Sequence, residues 1–292
     1  MSSPWRRVTS LSREERVAVL NLCDRVELAL GREAIDEGRR RTVVHGGVAQ
    51  HWLHGDGALD GYALVTGVAR PSVEQCGGGF DPALLARLLE TYPEIDWWIR
   101  GAHDVAGCVT VRTLQFMRAA LPVATTPPPP DATLRTFEPG VDDRAWIEQN
   151  NAAFADHPEQ GAWSHADLAA RLNEAWFDPS GFLLLEWRGR LVASCWTKVH
   201  ELYAERYGEI YVVSVHPDFQ HLHLGRVMVT QGLAALRRKG VATAVLFVDR
   251  SNEPARRLYG SLGFRVERED RLVRFTRSGA HKVADGEGHA SG

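Results

Sequence analysis

Gly208 to Arg226 reads Gly-Glu-Ile-Tyr-Val-Val-Ser-Val-His-Pro-Asp-Phe-Gln-His-Leu-His-Leu-Gly-Arg, and Asn252 to Phe264 reads Asn-Glu-Pro-Ala-Arg-Arg-Leu-Tyr-Gly-Ser-Leu-Gly-Phe. The first stretch is an apolar, β-branched run, a short polar loop and the opening of a helix: a buried strand feeding a loop-to-helix junction. The second is a helix with Pro254 in its first turn, then a turn at Gly263 and a strand. A helix entered from a loop has unpaired first-turn amides and the positive end of its dipole facing outward, so it can hold a phosphate. Gln220, His221, Leu222, His223, Leu224, Gly225 and Arg226 are the candidates. Gly225 admits close backbone approach, and His221, His223 and Arg226 could add positive charge. An ordinary loop-helix junction that binds nothing fits the same residues.

The surrounding periodicity extends this into a fold. Thr133–Phe137, Phe182–Trp187, Leu191–Val199, Glu209–Val215 and Val241–Val248 read as strands, with Arg188-Gly189-Arg190 as a hairpin turn. Asp142–Phe154, a helix capped by Ser164 and running through Asn173, Gly225–Lys239 and Pro254–Leu262 read as helices, with Gly240 closing the third. Phe264–Glu267 and Leu272–Phe275 end the pattern as two strands. This order predicts an α/β fold with a mixed sheet. The N-terminal part is fainter. Arg13–Leu30 and Asp81–Leu89 read as helices, and Arg41–Val48, Tyr62–Val68, Asp96–Ile99 and Leu114–Arg118 as strands, with a further helix starting at Ala106–Gly107. That order fits a worn copy of the C-terminal unit. Its Cys76-Gly77-Gly78-Gly79-Phe80-Asp81-Pro82 stretch reads as a surface turn. Thr125-Thr126-Pro127-Pro128-Pro129-Pro130 is an extended spacer. The expected division is therefore 1–124, a linker at 125–130, 131–276, and a disordered tail at 277–292.

Bulk composition narrows the function. The 292 residues carry a net charge of −3, with 44% hydrophobic and 24% charged residues. That balance supplies neither a polycation for nucleic acid nor a basic membrane face. No run approaches the roughly 18 apolar residues of a membrane span, and the N-terminus has no signal-peptide pattern. Cys23, Cys76, Cys108 and Cys195 lack metal-type spacing and read as reduced thiols of a cytoplasmic protein. We expect no metal, no nucleic-acid or membrane partner, and a monomer.

Two side chains suggest acid-base work. Glu209 heads an otherwise apolar strand and could take a proton from an ammonium that must become a nucleophile; a solvated strand-end carboxylate is the plainer reading. Tyr259 stands one helical turn beyond Ala255 and could protonate a leaving group; a core aromatic is its plainer reading. Asn252 can cap that helix.

Taken together, the strand, phosphate-type loop and helix at 208–226 and the Asn252-x-x-Ala255-x-x-x-Tyr259-x-x-x-Gly263-Phe264 spacing resemble the GNAT acetyltransferase superfamily. Those proteins move acetyl from acetyl-CoA to an amine. The superfamily loop is Gln/Arg-x-x-Gly-x-Gly/Ala; Gln220 and Gly225 match it, but His223 occupies the first glycine position. The resemblance narrows around Asn150-Asn151-Ala152-Ala153-Phe154-Ala155-Asp156-His157-Pro158-Glu159-Gln160-Gly161-Ala162-Trp163, Glu174-Ala175-Trp176-Phe177-Asp178-Pro179 and Trp196-Thr197-Lys198-Val199-His200. These strings are similar to the mycothiol synthase family of tandem GNAT proteins over nearly all of 131–276, and only thinly over 1–124. The resemblance implies two tandem GNAT-like domains, the first degenerate, and acetyl transfer to the cysteinyl amine of desacetylmycothiol. It places acetyl-CoA against Val213, Ser214 and Val215, against 220–226, and against Asn252, Glu253, Pro254, Ala255, Arg256 and Arg257. It places the acceptor against Glu33, Glu159, Lys198, Glu209 and Phe247, with Glu209 as base and Tyr259 as acid. Another small amine acceptor, or a non-catalytic acyl-CoA-binding scaffold, remains an alternative.

Overall fold

A computed structural model describes residues 5–56, 58–68, 70–101, 103–155, 161–202 and 205–278. In chain order the elements are β1 (Arg6–Val8), α1 (Arg13–Leu30), α2 (Glu37–His45), β2 (Gln50–His54), β3 (Gly61–Thr66), β4 (Ser72–Cys76), α3 (Pro82–Thr91), β5 (Glu94–Arg100) and β6 (Cys108–Ala120). They continue as β7 (Thr133–Thr136), α4 (Asp143–Ala153), α5 (His165–Leu172), β8 (Phe182–Trp187), β9 (Arg190–Leu202), β10 (Glu205–Val215), α6 (Leu224–Arg238), β11 (Thr243–Asp249), α7 (Glu253–Ser261) and β12 (Arg265–Thr276).

All twelve strands form one sheet, ordered β1-β2-β3-β4-β5-β12-β6-β11-β10-β9-β8-β7. Two neighbouring pairs are parallel, β4 with β5 and β10 with β11; the others run antiparallel. The two ends of the sheet repeat one plan. Each has a meander, a parallel step across a helix (α3 or α6), and a final antiparallel strand. The final strands are exchanged: β6 pairs with β11, and β12 pairs with β5. They also pair with each other, so the two halves share an unbroken hydrogen-bonded centre.

Several expectations for the N-terminal half are corrected. The stretch read as a strand at Arg41–Val48 lies mostly in α2, because Asp36 caps that helix by accepting the Arg39 N–H and Val43 is its sole buried residue. No helix starts at Ala106–Gly107: Gly107 has a positive φ of 75° and turns the chain into β6. The short strand read at Leu114–Arg118 is the inner part of that longer one. Phe264–Glu267 and Leu272–Phe275 are two ends of the single strand β12, which passes through a register shift between Val266 and Arg268. The short strands β1, β2 and β4 carry too few alternating residues to stand out in the sequence. Of the tail expected to be disordered, 279–292 lies outside the described residues.

The core has one large cluster where α6 and α7 cover β8–β11. It includes Cys195, Ile210, Leu233, Leu236, Leu246 and Tyr259. Gly232 lets α6 press onto the sheet; a Cβ there would stand 2.5 Å from Cys195 Sγ and 3.1 Å from Ile210 Cδ1. On the other face α4 and α5 pack over Phe182, Leu184, Trp196 and Val212. A hydrogen-bonded chain is buried there: Trp146 Nε1 donates to Ser194 Oγ, which meets Ser214 Oγ at 2.8 Å, and Ser214 Oγ donates to Gln149 Oε1.

Candidate active site

The parallel step between β10 and β11 is short. Gly208 pairs with Ala244 and Glu209 with Val245. Both strands continue, to Val215 and Asp249, yet their pairing ends there. The result is a slot between two strand edges whose backbone groups are free to meet a ligand. Val213, Ser214 and Val215 border it. The Ser214 side chain belongs to the buried chain under α4, so only its backbone can serve the slot.

The mouth of the slot meets the start of α6. His221 and His223 both take positive φ, 65° and 58°. His223 holds the N-cap position with no side-chain cap. The first helical amides to find a carbonyl are those of Arg226 and Val227, both on His223 O. Gln220, His221, Leu222 and His223 are exposed, whereas the Leu224 side chain is buried in the core and can offer only its amide. At Gly225 an added Cβ would meet only ordinary contacts, Leu258 at 3.6 Å and Val215 at 4.0 Å. Protein packing therefore does not demand glycine there. The open space there leaves the backbone accessible to a ligand group.

α7 lies alongside. Asn252 caps it by accepting the Ala255 N–H at 3.1 Å, and Pro254 sits in the first turn. Arg226 reaches Ser261 at 2.8 Å, joining the two helices. Arg256 donates to Gln115, and Arg257 pairs with Glu253 in solvent. Tyr259 faces the core, 6.0 Å from the Phe264 ring. Burial, with Cys195 nearby, pushes its phenol above the ordinary tyrosine range, so the hydroxyl stays protonated at neutral pH.

Below the slot, on the sheet face opposite α6, charged side chains converge. Glu209 on β10 is 11% exposed at its side chain. Its Oε2 lies 2.5 Å from His200 Nε2. The imidazole stacks on Tyr207, centroids 4.7 Å apart, and its Nδ1 faces Glu33 Oε1 at 3.6 Å. Lys198, opposite Glu209 in the β9–β10 ladder, donates to Glu37 Oε2 at 2.9 Å and lies 3.6 Å from Glu33. Its ammonium also rests over the Trp176 ring at 4.9 Å. Burial works against the lysine charge, but Glu33, Glu209 and Glu37 together hold its pKa above the ordinary 10.5. The stability from this charge is thus fully present below about pH 10.5 and fades only as pH rises beyond that. Tyr207 is pushed up by burial, then by Glu33 and Glu209.

The face therefore carries three carboxylates for one ammonium, a field that favours a cationic acceptor. Glu37 Oε1 is buried without a hydrogen-bond partner among the described residues. Phe247, 41% exposed, sits at the slot edge against Phe116.

The structure thus brings Glu33, Lys198 and Glu209 together, and sets Phe247 at the same slot. Glu159 lies outside the described residues. Two members were missed from sequence. Glu37 was hidden because its helix read as a strand further along. His200 was visible through the two-residue alternation that puts it on one face with Lys198. Among the described residues no group of three or more His, Cys, Asp or Glu side chains could hold a metal ion. No helix there is long and apolar enough to cross a membrane.

Comparison with known proteins places this geometry. The acetyltransferase (GNAT) family model matches residues 146–264. A mycothiol acetyltransferase of Thermomonospora curvata is 44% identical, the match covering 78% of this chain and 80% of that protein. The chain belongs to the mycothiol acetyltransferase family. Another member, from Streptomyces griseus, is 37% identical over 94% of this chain and 97% of its own length, so the family likeness reaches both halves of the sheet. Solved structures share the fold at low identity. A GCN5-related N-acetyltransferase from Sphaerobacter thermophilus superposes with a TM-score of 0.66 at 22% identity, covering 94% of this chain and 96% of that one. A tandem GNAT protein from the clavulanic acid biosynthesis pathway gives 0.64 at 14%, covering 94% and 98%. The family member described here is thus an α/β protein of tandem GNAT architecture and an acetyl-CoA-dependent N-acetyltransferase.

Proposed function

We propose that this chain transfers acetyl from acetyl-CoA to the cysteinyl amine of desacetylmycothiol, a cysteine carried on glucosaminyl-inositol, as the last step of mycothiol biosynthesis. The observation that carries the reading is Glu209: a buried carboxylate at the last position where β10 pairs with β11, where the ligand slot and the carboxylate-rich face meet.

Bound acetyl-CoA supplies a thioester carbonyl open to attack. The amides of 220–226 and the α6 dipole would hold its pyrophosphate, with Arg226 and the half-exposed first turn of α7 (Asn252 to Arg257) beside it. The edge at Val213 to Val215 would align its pantetheine arm. Glu33 and Glu37 draw the acceptor ammonium toward Glu209. His200 donates to Glu209 Oε2 and so orients the carboxylate, leaving Oε1 to take the amine proton. Lys198, fixed by Glu37, offers a donor to acceptor hydroxyls, and Phe247 an apolar edge. The protonated Tyr259 hydroxyl serves the departing thiolate. Glu159 is the remaining acceptor contact carried over from the family resemblance.

The division into 1–124 and 131–276 gives the N-terminal unit a supporting role. Glu74, at the last position where β4 pairs with β5 and so the counterpart of Glu209, is tied up by Arg39 and Arg100. At the start of α3, the counterpart of α6, the Asp81 carboxylate accepts the Ala83 N–H and is held by Trp5. An anion already occupies that helix end, which disfavours a second phosphate. We read the unit as a degenerate copy that shapes the acceptor face. The four free cysteines suit a reducing cytoplasm, with the chain acting as a monomer.

Incubation of the full chain with acetyl-CoA and desacetylmycothiol should give product acetylated on the cysteinyl nitrogen, and calorimetry should count one acetyl-CoA per chain. Acetyl found on sulfur alone, or no product, would overturn the reaction. Two bound acetyl-CoA molecules would overturn the role given to the N-terminal unit.

A further inference from the structure

Beyond Glu33 the same face leads to three arginines from three separate elements. Arg32 follows the Gly31 that ends α1, Arg100 ends β5, and Arg268 lies in β12. Each side chain is only 18 or 19% exposed. They gather around Asp270, which stands 3.9 Å from Arg32 Nη1 and 3.7 Å from Arg268 Nε, and accepts the Gly101 N–H at 3.0 Å. Neither arginine is close enough to Asp270 for a hydrogen bond. Arg100 is turned to Glu74 instead. Arg32 Nη1, Arg100 Nε and Arg268 Nε are all buried without a hydrogen-bond partner among the described residues. Burial above all, with the neighbouring guanidiniums adding to it, lowers the pKa of Arg100 and Arg268. Buried charged donors without acceptors are costly, and these three N–H groups, without a partner among the described residues, suit the oxygen atoms of a ligand.

The cluster is continuous with the acceptor face. The Arg268 guanidinium lies 3.7 Å over Phe116 and 5.7 Å from the Phe247 ring. Arg32 adjoins Glu33, which reaches Lys198 and His200. A ligand with its amine at Glu209 and a bulky polar body has this direction in which to extend.

We propose that Arg32, Arg100, Arg268 and Asp270 form a polyol subsite that binds the hydroxyl groups at the cyclitol end of the acceptor, a proposal that rests on the acceptor reading above. Hydroxyls suit it better than an oxyanion does. Arg32 and Arg268 already face Asp270, and Arg100 faces Glu74, so an added anion would stand directly against Asp270, while the three guanidinium N–H groups still lack acceptors among the described residues. Sugar and cyclitol hydroxyls accept from guanidinium N–H groups and donate to the remaining carboxylate lone pairs. Phe247 offers its half-exposed ring to the C–H side of a saturated ring.

Steady-state kinetics of the full chain on two acceptors tests this: desacetylmycothiol, and cysteinyl-glucosamine, which lacks the cyclitol. Arg268→Gln should raise KM for desacetylmycothiol about tenfold, the scale of one charged hydrogen bond. Its kcat should stay within about twofold, and kcat/KM for cysteinyl-glucosamine should hardly change. Arg32→Gln, in a loop rather than a strand, should act in the same direction and carries the test if Arg268→Gln does not fold. Equal losses on both acceptors, or no loss on either, overturn the subsite while leaving the reaction standing. Sulfate inhibition of the native chain that competes with acceptor and is relieved by Arg268→Gln overturns it in favour of an oxyanion site. A native chain inactive on desacetylmycothiol removes the acceptor reading first, and the subsite with it.

Discussion

In the proposed reaction Glu209 and His200 act as one unit at the residue scale. The carboxylate is buried at the ligand slot, and the imidazole fixes one of its oxygens. Glu209→Gln should lower kcat by roughly two orders of magnitude, as loss of a general base does, with acetyl-CoA affinity unchanged by calorimetry. His200→Phe keeps a ring against Tyr207 but loses the donor. Its kcat should fall about tenfold, and His200→Gln, which retains an N–H, should recover part of that. Native kcat in either His200 variant would separate the imidazole from the reaction. Tyr259→Phe should slow turnover less than Glu209→Gln, because solvent can also protonate a thiolate. Since burial keeps this phenol protonated, the shape of the pH-rate profile between about pH 6 and pH 9 should survive the substitution. A basic limb that disappears in Tyr259→Phe would contradict that assignment.

At the scale of elements, α6 is fixed at both its start and its middle. Gly232 has no room for a methyl against Cys195 and Ile210. Gly232→Ala should destabilise the protein by about 1–3 kcal/mol despite better helix propensity, because overpacking outweighs it; chemical denaturation measures this, and an unchanged midpoint would show that α6 can shift. At the other end, His223 adopts a left-handed backbone conformation, which costs a non-glycine residue about 1–2 kcal/mol. Glycine would relieve that strain but gain freedom when unfolded. His223→Gly should therefore raise Tm by a few degrees at most, about 2–4 °C. A lower Tm would mean that the imidazole makes a stabilising contact. His223 shows where sequence reading was sound and where it stopped. Its departure from the glycine pattern was visible, and the positive φ explains why glycine is usual there. The direction of the Ser214 and Leu224 side chains, both into the core, was not visible, because a strand and a helix start each present two faces. Likewise α2 is masked in the sequence: the β-branched Thr42, Val43, Val44 and Val48 imitate a strand, and only Asp36, five residues before Arg41, marks the helix start. Glu37 was lost with it.

For the whole molecule, the exchanged strands decide how the halves depend on each other. The strand-helix-strand step from β10 through α6 to β11 was legible from local runs of sequence, whereas a ligand edge at Val213 to Val215 followed only from the family resemblance. The exchange was not, because no local pattern in Cys108–Ala120 or Arg265–Thr276 names its partner strand. With β12 between β5 and β6, neither half has a complete sheet without the other. Unfolding should therefore be a single transition in which Trp97, buried in the N-terminal half, and Trp196, buried in the C-terminal half, lose their environments together. Selective Trp→Phe variants followed by fluorescence would report it, and two separated midpoints would contradict a shared core.

The central claim is that the carboxylate-rich face and the β10–β11 slot act together on one acceptor. The most direct measurement is the rate of CoA thiol release from acetyl-CoA by the full chain, with purified desacetylmycothiol compared against free cysteine and glucosamine at equal concentration. The account expects kcat/KM for desacetylmycothiol to exceed both simple amines by at least about two orders of magnitude. Release no faster than the acceptor-free background, or equal turnover of free cysteine, would contradict it.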